Sequence, residues 1–235
     1  NRTAEDLNLS RDEQDRWAAR SQELAVKAIE SGIMKEEIVS VEVKGRKGEK
    51  TIIDQDESPR KGTTVESLNQ LKPVFGRDGT ITAGNAPGVN DGACAMLLMS
   101  DERAKKEGKT PLATIVCHER IAVEPKDFPK TPGLVINKLL EKASVSLSDI
   151  KRFEINEAFA AVALASNQLA ELDETKVNVN GGAVAYGHPI GASGARIILT
   201  LAYELNRIGG GYGIASICSG GGQGDAVLVY VEENA

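Results

Sequence analysis

The chain has 235 residues, of which 41% are hydrophobic and 4% are aromatic, and its 28 basic and 34 acidic residues give a net charge of −6. This composition suffices for a buried core and excludes a strongly basic nucleic-acid-binding surface. The sequence also contains no apolar run long enough to span a membrane. The three cysteines are far apart in sequence, which favours free thiols in a reducing compartment.

The first part of the chain is predicted to contain a helix, a hairpin and a long loop. Ser10 and Glu13 form a capping-box pattern, which predicts a helix that extends to Gly32. The stretch IVSVEVKGRKGEKTIID, residues 38–54, alternates like two strands around a glycine-rich turn. Residues 57–88 are polar and rich in proline and glycine, which predicts a functional excursion because compact domains rarely contain so long a loop.

From residue 109 onward, strand and helix patterns alternate. The predicted order is β-α-β-α-β-α-β-β, which is typical of a mostly parallel sheet with helices on both faces. The predicted strands are residues 111–123, 150–155, 176–180, 212–218 and 225–232, and the predicted helices are Thr131–Ala143, Ala158–Leu169 and Gly194–Arg207. In such sheets, functional groups gather on the loops that follow the carboxyl ends of the strands.

Three of these loops carry an amide, an imidazole and a thiol. They contain Asn156 with Glu157, His188 between Gly187 and Pro189, and Cys218 before Ser219 and the glycines 220–222. Each residue alone has an ordinary structural explanation: an asparagine helix cap, a histidine that hydrogen-bonds a turn, and a small buried cysteine. Their positions at three strand ends favour a common site, in which the glycine-rich turn could present N–H groups to an oxyanion.

Five stretches of the sequence carry a family resemblance. They are SRDEQDRWAARSQ at 10–22, AGNAPGVNDGA at 83–93, NEAFA at 156–160, NVNGGAVAYGHPIGASGAR at 178–196 and CSGGGQGDA at 218–226. In this order, and over essentially the whole chain, they resemble the thiolases, the family of acetyl-CoA acetyltransferases and 3-ketoacyl-CoA thiolases. Several long motifs in one order are more specific than a single short motif.

The resemblance implies an α/β thiolase-like fold. In this fold, the C-terminal β-α-β-α-β-α-β-β half has a mixed sheet flanked by helices. Residues 1–84 resemble an incomplete loop domain that covers coenzyme A, residues 85–108 resemble the end of the N-terminal half, and residues 109–235 resemble the C-terminal domain.

The resemblance also implies roles for four residues. Cys218 matches the cysteine that moves a proton on the second substrate, and His188 matches the histidine that activates the nucleophilic cysteine and helps to bind the first thioester oxygen. Asn156 matches the residue that holds a water in the same oxyanion hole, and the Gly220 N–H contributes to a second one. We expect no metal and no tightly bound cofactor, with coenzyme A and acyl-CoA as substrates.

The nucleophile of the family is missing from the sequence. Thiolases carry it in the N-terminal half in a Cys-x-Ser-Gly setting, and no such motif occurs here. Cys94 is followed by Ala-Met and is predicted to be a small buried residue in a strand. Cys117 and His118 are strand neighbours that point to opposite faces, so we interpret both as structural. The chain therefore resembles a thiolase without about its first 160 residues, a segment of ordinary domain size.

Further positions are implied to contact coenzyme A. Arg60 matches the residue near the adenine and phosphate end, and Leu71 and Ala83 are additional candidates. Pro87 is also a candidate; it occupies a position where many biosynthetic relatives have a serine that contacts the pantetheine arm, and proline cannot supply that hydroxyl. Phe128 resembles part of the acyl pocket and favours short acyl chains. Nearby basic residues face either an anion or solvent; they are Lys44, Arg46, Lys47, Lys61 and Lys72.

The function implied by the resemblance is reversible Claisen condensation of two acetyl-CoA molecules, or thiolysis of acetoacetyl-CoA and short 3-ketoacyl-CoA, as in fatty acid metabolism. The chain would act only together with the N-terminal half. A non-catalytic, truncated protein that binds CoA or a partner is the alternative, and a decarboxylating ketosynthase is disfavoured because Asn156 replaces a histidine. The resemblance implies a homodimer or homotetramer. We expect a cytoplasmic protein, with mitochondria or another organelle left open, and no nucleic acid or membrane as a partner.

Overall fold

The computed structural model describes residues 1–45 and 48–233. Its helices are α1 (Arg2–Asp6), α2 (Arg11–Glu30), α3 (Val65–Asn69), α4 (Asp101–Lys106), α5 (Thr131–Ala143), α6 (Ala160–Leu169), α7 (Ala183–Tyr186) and α8 (Ile190–Arg207). The strands are β1 (Val41–Lys44), β2 (Lys50–Ile53), β3 (Thr114–Ala122), β4 (Ile150–Ile155), β5 (Gly211–Ser219) and β6 (Gln223–Val231). Short 3₁₀ turns occupy Ile33–Glu36, Pro125–Lys130, Leu147–Asp149 and Glu174–Lys176. No helix in the described part of the chain is both long and apolar enough to cross a membrane.

The main sheet has four strands in the order β3-β6-β5-β4. Strands β4 and β5 are parallel, whereas β6 is antiparallel to both β5 and β3. The mixed sheet implied by the resemblance is therefore confirmed, and the mostly parallel sheet predicted from alternation is wrong. The reason is the tight turn between β5 and β6, which reverses the chain and makes β3 pair with an antiparallel neighbour.

The predicted strand at residues 176–180 is also wrong. Only Val177 pairs with the sheet, through an isolated bridge to Phe153. The next residue, Asn178, has a φ of +47°, which ends the extended conformation. Its side chain replaces the missing ladder, because Oδ1 accepts from the N–H of Ile155 and Nδ2 donates to the Ile155 carbonyl, both at 2.8 Å. One amide side chain thus satisfies both backbone hydrogen-bonding groups of Ile155 at the edge of β4.

Helices cover both faces of the sheet, as predicted. Helix α5 packs against one face and α8 against the other. Adjacent residues of one strand illustrate the alternation, since Ile214 belongs to the α5 core and Ala215 to the α8 core. Helix α5 has the predicted bounds, while α6 begins two residues later and α8 four residues earlier than predicted.

The N-terminal elements are built around α2. Its predicted capping box is present, with the Ser10 side chain accepting from Glu13 N–H. The long excursion is held against α2, because Arg11 donates to the carbonyls of Leu68 and Leu71 at 2.8 and 3.0 Å. The predicted hairpin forms as β1 and β2, all of whose residues are exposed. The turn residues Arg46 and Lys47, expected to face an anion or solvent, lie outside the described residues.

Cys94 does not occupy a buried strand, contrary to the prediction. It is partly exposed and lies in residues 89–99, which have no strand assignment and no backbone hydrogen bonds to other described residues. A strand requires a hydrogen-bonded neighbour, and none is present beside this stretch in the described chain. On β3, Cys117 packs against the core while His118 is exposed, as strand alternation predicts.

Candidate active site

Two of the four predicted site residues lie at the carboxyl ends of the parallel strands β4 and β5: Asn156 directly follows β4, and Cys218 is the last residue but one of β5. Because these strands run in the same direction, Asn156 and Cys218 lie at the same edge of the sheet. The backbone N–H of Asn156 donates to the carbonyl of Ser216 at 2.9 Å, which extends the strand pairing beyond β4. Asn156 is not a helix cap, since Phe159 occupies the N-cap position of α6.

His188 contacts Asn156 through one ring nitrogen and Ser193 through the other. Asn156 Nδ2 lies 3.3 Å from His188 Nε2, and Ser193 Oγ lies 2.7 Å from His188 Nδ1. The Ser193 hydroxyl donates to the Pro189 carbonyl at 3.0 Å, so its oxygen is left to accept from Nδ1–H. This network assigns the proton to Nδ1 and leaves the Nε2 lone pair facing Asn156.

The surroundings of His188 favour its neutral form. Burial is the larger cause and the positive charge of Arg196 the second, and both lower the pKa of His188 from 6.5. In this tautomer the Nε2 lone pair accepts from Asn156 Nδ2 at 3.3 Å. A neutral imidazole can take a proton at Nε2 from a thiol that displaces this contact, after which Nε2–H becomes a donor. The site therefore presents a base that turns into a hydrogen-bond donor.

The Asn156 amide has an unused acceptor. Asn156 is fully buried, and its Oδ1 has no hydrogen-bond partner among the described residues. Buried amide oxygens are normally hydrogen-bonded, so an unpaired one beside a histidine is a place for a water or a substrate donor.

Cys218 is present as a thiol. It is 8% exposed, and burial raises its pKa from 9.0 to about 11. Within the described chain, its sulfur makes no hydrogen bond to Asn156 or His188. A thiol with this pKa is an acid at neutral pH and becomes a base only after it has given up its proton.

The turn after Cys218 depends on glycine. Gly221 and Gly222 have φ values of +76° and +82°, and a Cβ on Gly222 would overlap the Val123 carbonyl oxygen. The Gly222 carbonyl also accepts from Val123 N–H at 2.8 Å, which fixes the turn to the end of β3. Gly220 is exposed with open space around it, so its proposed N–H donor role stays a prediction.

Two of the candidate CoA-contacting residues lie beside the catalytic loops. The Pro87–Gly88 peptide is adjacent to His188, whose N–H donates to the Gly88 carbonyl at 3.4 Å. Phe128 is half-buried, and Thr131 Oγ1 lies 2.7 Å from the Phe128 carbonyl oxygen and 3.0 Å from that of Gln223, which begins β6, so its one hydroxyl hydrogen is within reach of both. Both positions are thus next to the loops that carry His188 and Cys218.

The other candidates for CoA contact lie further out on the surface. The side chains of Arg60, Leu71 and Ala83 are exposed. The backbone N–H of Arg60 donates to Gln22 Oε1 of α2 at 2.7 Å, which leaves its guanidinium outside that contact. Of the predicted basic residues, Lys61 is paired with Glu30 at 2.7 Å, and Lys44 and Lys72 are exposed. Their roles remain predictions.

A shallow cleft of about 330 Å³ lies beside the histidine loop. It is lined by residues 90–94, which include Cys94, and by residues 189–192. Burial raises the pKa of the Cys94 thiol, which keeps it protonated and disfavours it as a nucleophile. The cleft therefore contains a second thiol without the properties of an activated one.

Two residues with a part in this geometry were not identified as site residues from the sequence. Ser193 lies five residues after His188, on the first turn of α8, and its role depends on where that helix begins. Glu157 was placed on the Asn156 loop without a role; it is fully buried and accepts four hydrogen bonds. The available signal was a carboxylate directly after a buried strand, a position where a charge requires partners.

Two family models match the chain: "Thiolase, N-terminal domain" over residues 1–102 and "Thiolase, C-terminal domain" over residues 109–231. Acetyl-CoA acetyltransferases of Allochromatium vinosum and Pseudomonas aeruginosa are 46% and 48% identical to it over 226 residues, or 96% of this chain. These matches cover 57% and 58% of those two proteins, so the chain spans little more than half the length of these curated relatives.

Solved structures of similar proteins superpose closely on the chain. The crystal structure of the Bacillus anthracis acetyl-CoA acetyltransferase is 48% identical with a TM-score of 0.95, covering 97% of this chain and 58% of that one. Human mitochondrial 3-ketoacyl-CoA thiolase in complex with CoA is 42% identical with a TM-score of 0.91, covering 98% of this chain and 57% of that one.

Proposed function

The chain belongs to the thiolase family, and from this premise we propose that it is the acid/base part of an acyl-CoA C-acyltransferase. The reaction is the reversible Claisen condensation of two acetyl-CoA molecules, or thiolysis of acetoacetyl-CoA and other short 3-ketoacyl-CoA. The observation that carries the proposal is the pairing of His188 Nε2 with Asn156 Nδ2 at the strand edge that also bears Cys218.

In the thiolysis direction, His188 is proposed to take the proton of a nucleophilic thiol. The thiolate attacks the 3-keto carbon, the bond between C2 and C3 breaks, and the acetyl group remains on the thiol. The electron pair of the broken bond forms the enolate of acetyl-CoA. Protonated Nε2–H and a water held by Asn156 Oδ1 are suitable donors for its oxygen.

Cys218 is proposed to complete the proton transfer. Its thiol donates a proton to the enolate carbon, which releases acetyl-CoA, and the resulting thiolate takes the proton of incoming CoA. The CoA thiolate then removes the acetyl group from the nucleophile. The raised pKa of Cys218 supports this order, because the residue begins the cycle protonated.

The nucleophile is proposed to lie outside these residues, whereas several contacts to CoA are proposed to lie within them. Of the three cysteines, Cys218 has the acid role, Cys117 packs against the core and Cys94 has a raised pKa. Arg60, Leu71, Ala83 and Pro87 are proposed to contact CoA, and Phe128 to limit the acyl group to short chains.

The test is CoA-dependent cleavage of acetoacetyl-CoA, with the intact mass measured on the same sample. Activity together with a polypeptide longer than 235 residues, or with a second polypeptide, supports the proposal. The alternative is a non-catalytic protein that binds CoA or a partner. It predicts CoA binding without cleavage by the protein at the full length that its gene encodes.

We further propose a homodimer or homotetramer in a reducing compartment, with the cytoplasm as the first expectation. The exposed apolar side chains of the β1–β2 hairpin, which include Val41, Val43 and Ile52, support an interface. None of the three cysteines, all of which are described, forms a disulfide, which is typical of a reducing environment. Sedimentation analysis of wild type and Val43→Lys tests the oligomer.

A further inference from the structure

Glu157 lies at the centre of a buried hydrogen-bond network next to the catalytic pair. Its Oε1 accepts from Trp17 Nε1 and Asn178 Nδ2, each at 2.9 Å. Its Oε2 accepts from Ser21 Oγ at 2.8 Å and from Val184 N–H at 2.9 Å. Two carboxylate oxygens have about four acceptor sites in total, so these donors occupy all of them.

The four donors come from three separate parts of the chain. Trp17 and Ser21 are one turn apart on α2, Asn178 follows the bridge to β4, and Val184 belongs to α7, which leads into His188. The remaining neighbour is Asn156, the preceding residue in sequence. A single carboxylate therefore joins α2 to both loops that carry the catalytic pair.

The space around this carboxylate leaves little freedom. A Cβ on Gly182 would overlap Glu157 Cδ, and the Gly182 N–H donates to Ser21 Oγ at 3.0 Å. Ser21 thus connects the carboxylate to the backbone of the histidine loop a second time. Such close packing allows one arrangement of the loop and excludes neighbouring ones.

The same network reaches the segment proposed to bind CoA. Gln22, next to Ser21, accepts from the Arg60 N–H at 2.7 Å and donates to the Val184 carbonyl at 3.3 Å. Both backbone groups of Val184 are therefore hydrogen-bonded by side chains: its N–H donates to Glu157, and its carbonyl accepts from Gln22.

We propose that Glu157 is a positioning residue that sets the distance between Asn156 and His188. It is fully buried and touches neither ring nitrogen of His188, so it acts through the two loops. The proposal rests on the proposed function for its kinetic consequences but not for its structural ones. Glutamine cannot substitute, because its NH₂ group would face two donors that the carboxylate now accepts.

The test compares Glu157→Gln with Glu154→Gln in the protein at its full encoded length. Glu154 is a matched control: it is equally buried, belongs to β4, and its Oε2 has no partner among the described residues. We expect Glu157→Gln to lower kcat about 10- to 100-fold while KM for CoA changes less than about twofold. Glu154→Gln should leave both parameters near wild type.

A second readout does not depend on turnover. In the protein at its full encoded length, nitrogen NMR of the histidine rings follows His188 separately from the exposed His118, with each signal assigned by its loss in His188→Gln or His118→Gln. In wild type, we expect the Nδ1–H tautomer at His188; in Glu157→Gln, its ring shifts should move while those of His118 stay fixed. If wild type lacks activity but these shifts move as expected, the proposed function fails and the positioning role stands.

Two milder variants keep the test decisive if Glu157→Gln does not fold. Ser21→Ala and Trp17→Phe each remove one donor and leave the others in place. Each should lower kcat by about threefold to tenfold, which is a smaller loss than that expected for Glu157→Gln. Folded variants with unchanged His188 ring shifts and unchanged kcat would overturn the positioning role and leave Glu157 as a stabilising residue only.

Discussion

Replacement of Ser193 by alanine should slow catalysis while the protein stays folded. Ser193 is fully buried, and its Oγ accepts from His188 Nδ1–H at 2.7 Å. Without this acceptor, Nδ1–H is left without a protein partner and the Nε2-protonated tautomer gains population. A buried donor left unpaired costs about 1–3 kcal/mol. Since His188 is only half-buried, water offsets part of this cost, and we expect about 1–2 kcal/mol, or roughly a 5- to 30-fold loss of kcat.

The assay is acetoacetyl-CoA thiolysis by the protein at its full encoded length, with unfolding measured alongside. Ser166→Ala is the matched control, because Ser166 is also buried in a helix and donates to the carbonyl four residues earlier, that of Val162. Both variants lose a serine hydrogen bond within a helix, so their stabilities should be similar. Equal kcat in the two variants would refute the assignment of Nδ1–H to the Ser193 contact.

Three further changes test the electrostatics and packing of the site. Arg196→Met should raise the pKa of His188 toward 6.5, since a positive charge that opposes protonation is removed while burial remains; the acid limb of kcat/KM then moves to higher pH, and an unmoved limb would exclude this influence. The pKa of Cys218 is about 11 in the folded protein and 9.0 in the unfolded chain. The contribution of this thiol to the free energy of unfolding is therefore fully present below pH 9.0, and it falls by roughly 2–3 kcal/mol as pH rises to about 11. Alkaline denaturation should show a loss that is smaller by this amount in Cys218→Ala than in wild type. Gly182→Ala should lower the free energy of unfolding by about 1–3 kcal/mol or more, because the added methyl group overlaps a buried carboxyl group. Gly194→Ala should be neutral or stabilising, because the space around Gly194 in α8 is open. Chemical unfolding of both variants measures this difference, and equal free energies of unfolding would contradict the packing described for Gly182.

Local signals predicted where α2 and α5 begin. The Ser10–Glu13 capping box and the proline near the start of Thr131–Ala143 mark helix ends within a few residues of sequence, and both helices form there. The alternation of residues 176–180 is typical of a strand, and the strand predicted there is wrong. The side chain of Asn178 instead makes the hydrogen bonds that a strand backbone would have made. That choice depends on a partner 23 residues away, which no short window contains.

Dependence on partners that are distant in sequence also limits what could be predicted about the site. Asn156 and Cys218 could be placed at one edge because Asn156 follows one predicted strand and Cys218 ends another, and short sequence windows are enough to locate strand ends. The role of Glu157 depends on Trp17, 140 residues away in sequence, and is visible only after folding. Ser193 was missed for a smaller reason: α8 was expected to begin at Gly194, and it begins at Ile190, which places Ser193 one turn above Pro189.

The proton-transfer role proposed for Cys218 is tested by exchange of the acetyl-CoA methyl hydrogens in heavy water. We assign proton transfer at this carbon to Cys218 and acyl transfer to a different thiol. With the protein at its full encoded length, wild type should incorporate deuterium into the methyl group. Cys218→Ala should lose this exchange and still accept an acetyl group from acetyl-CoA. Exchange in Cys218→Ala at the wild-type rate would contradict the assignment.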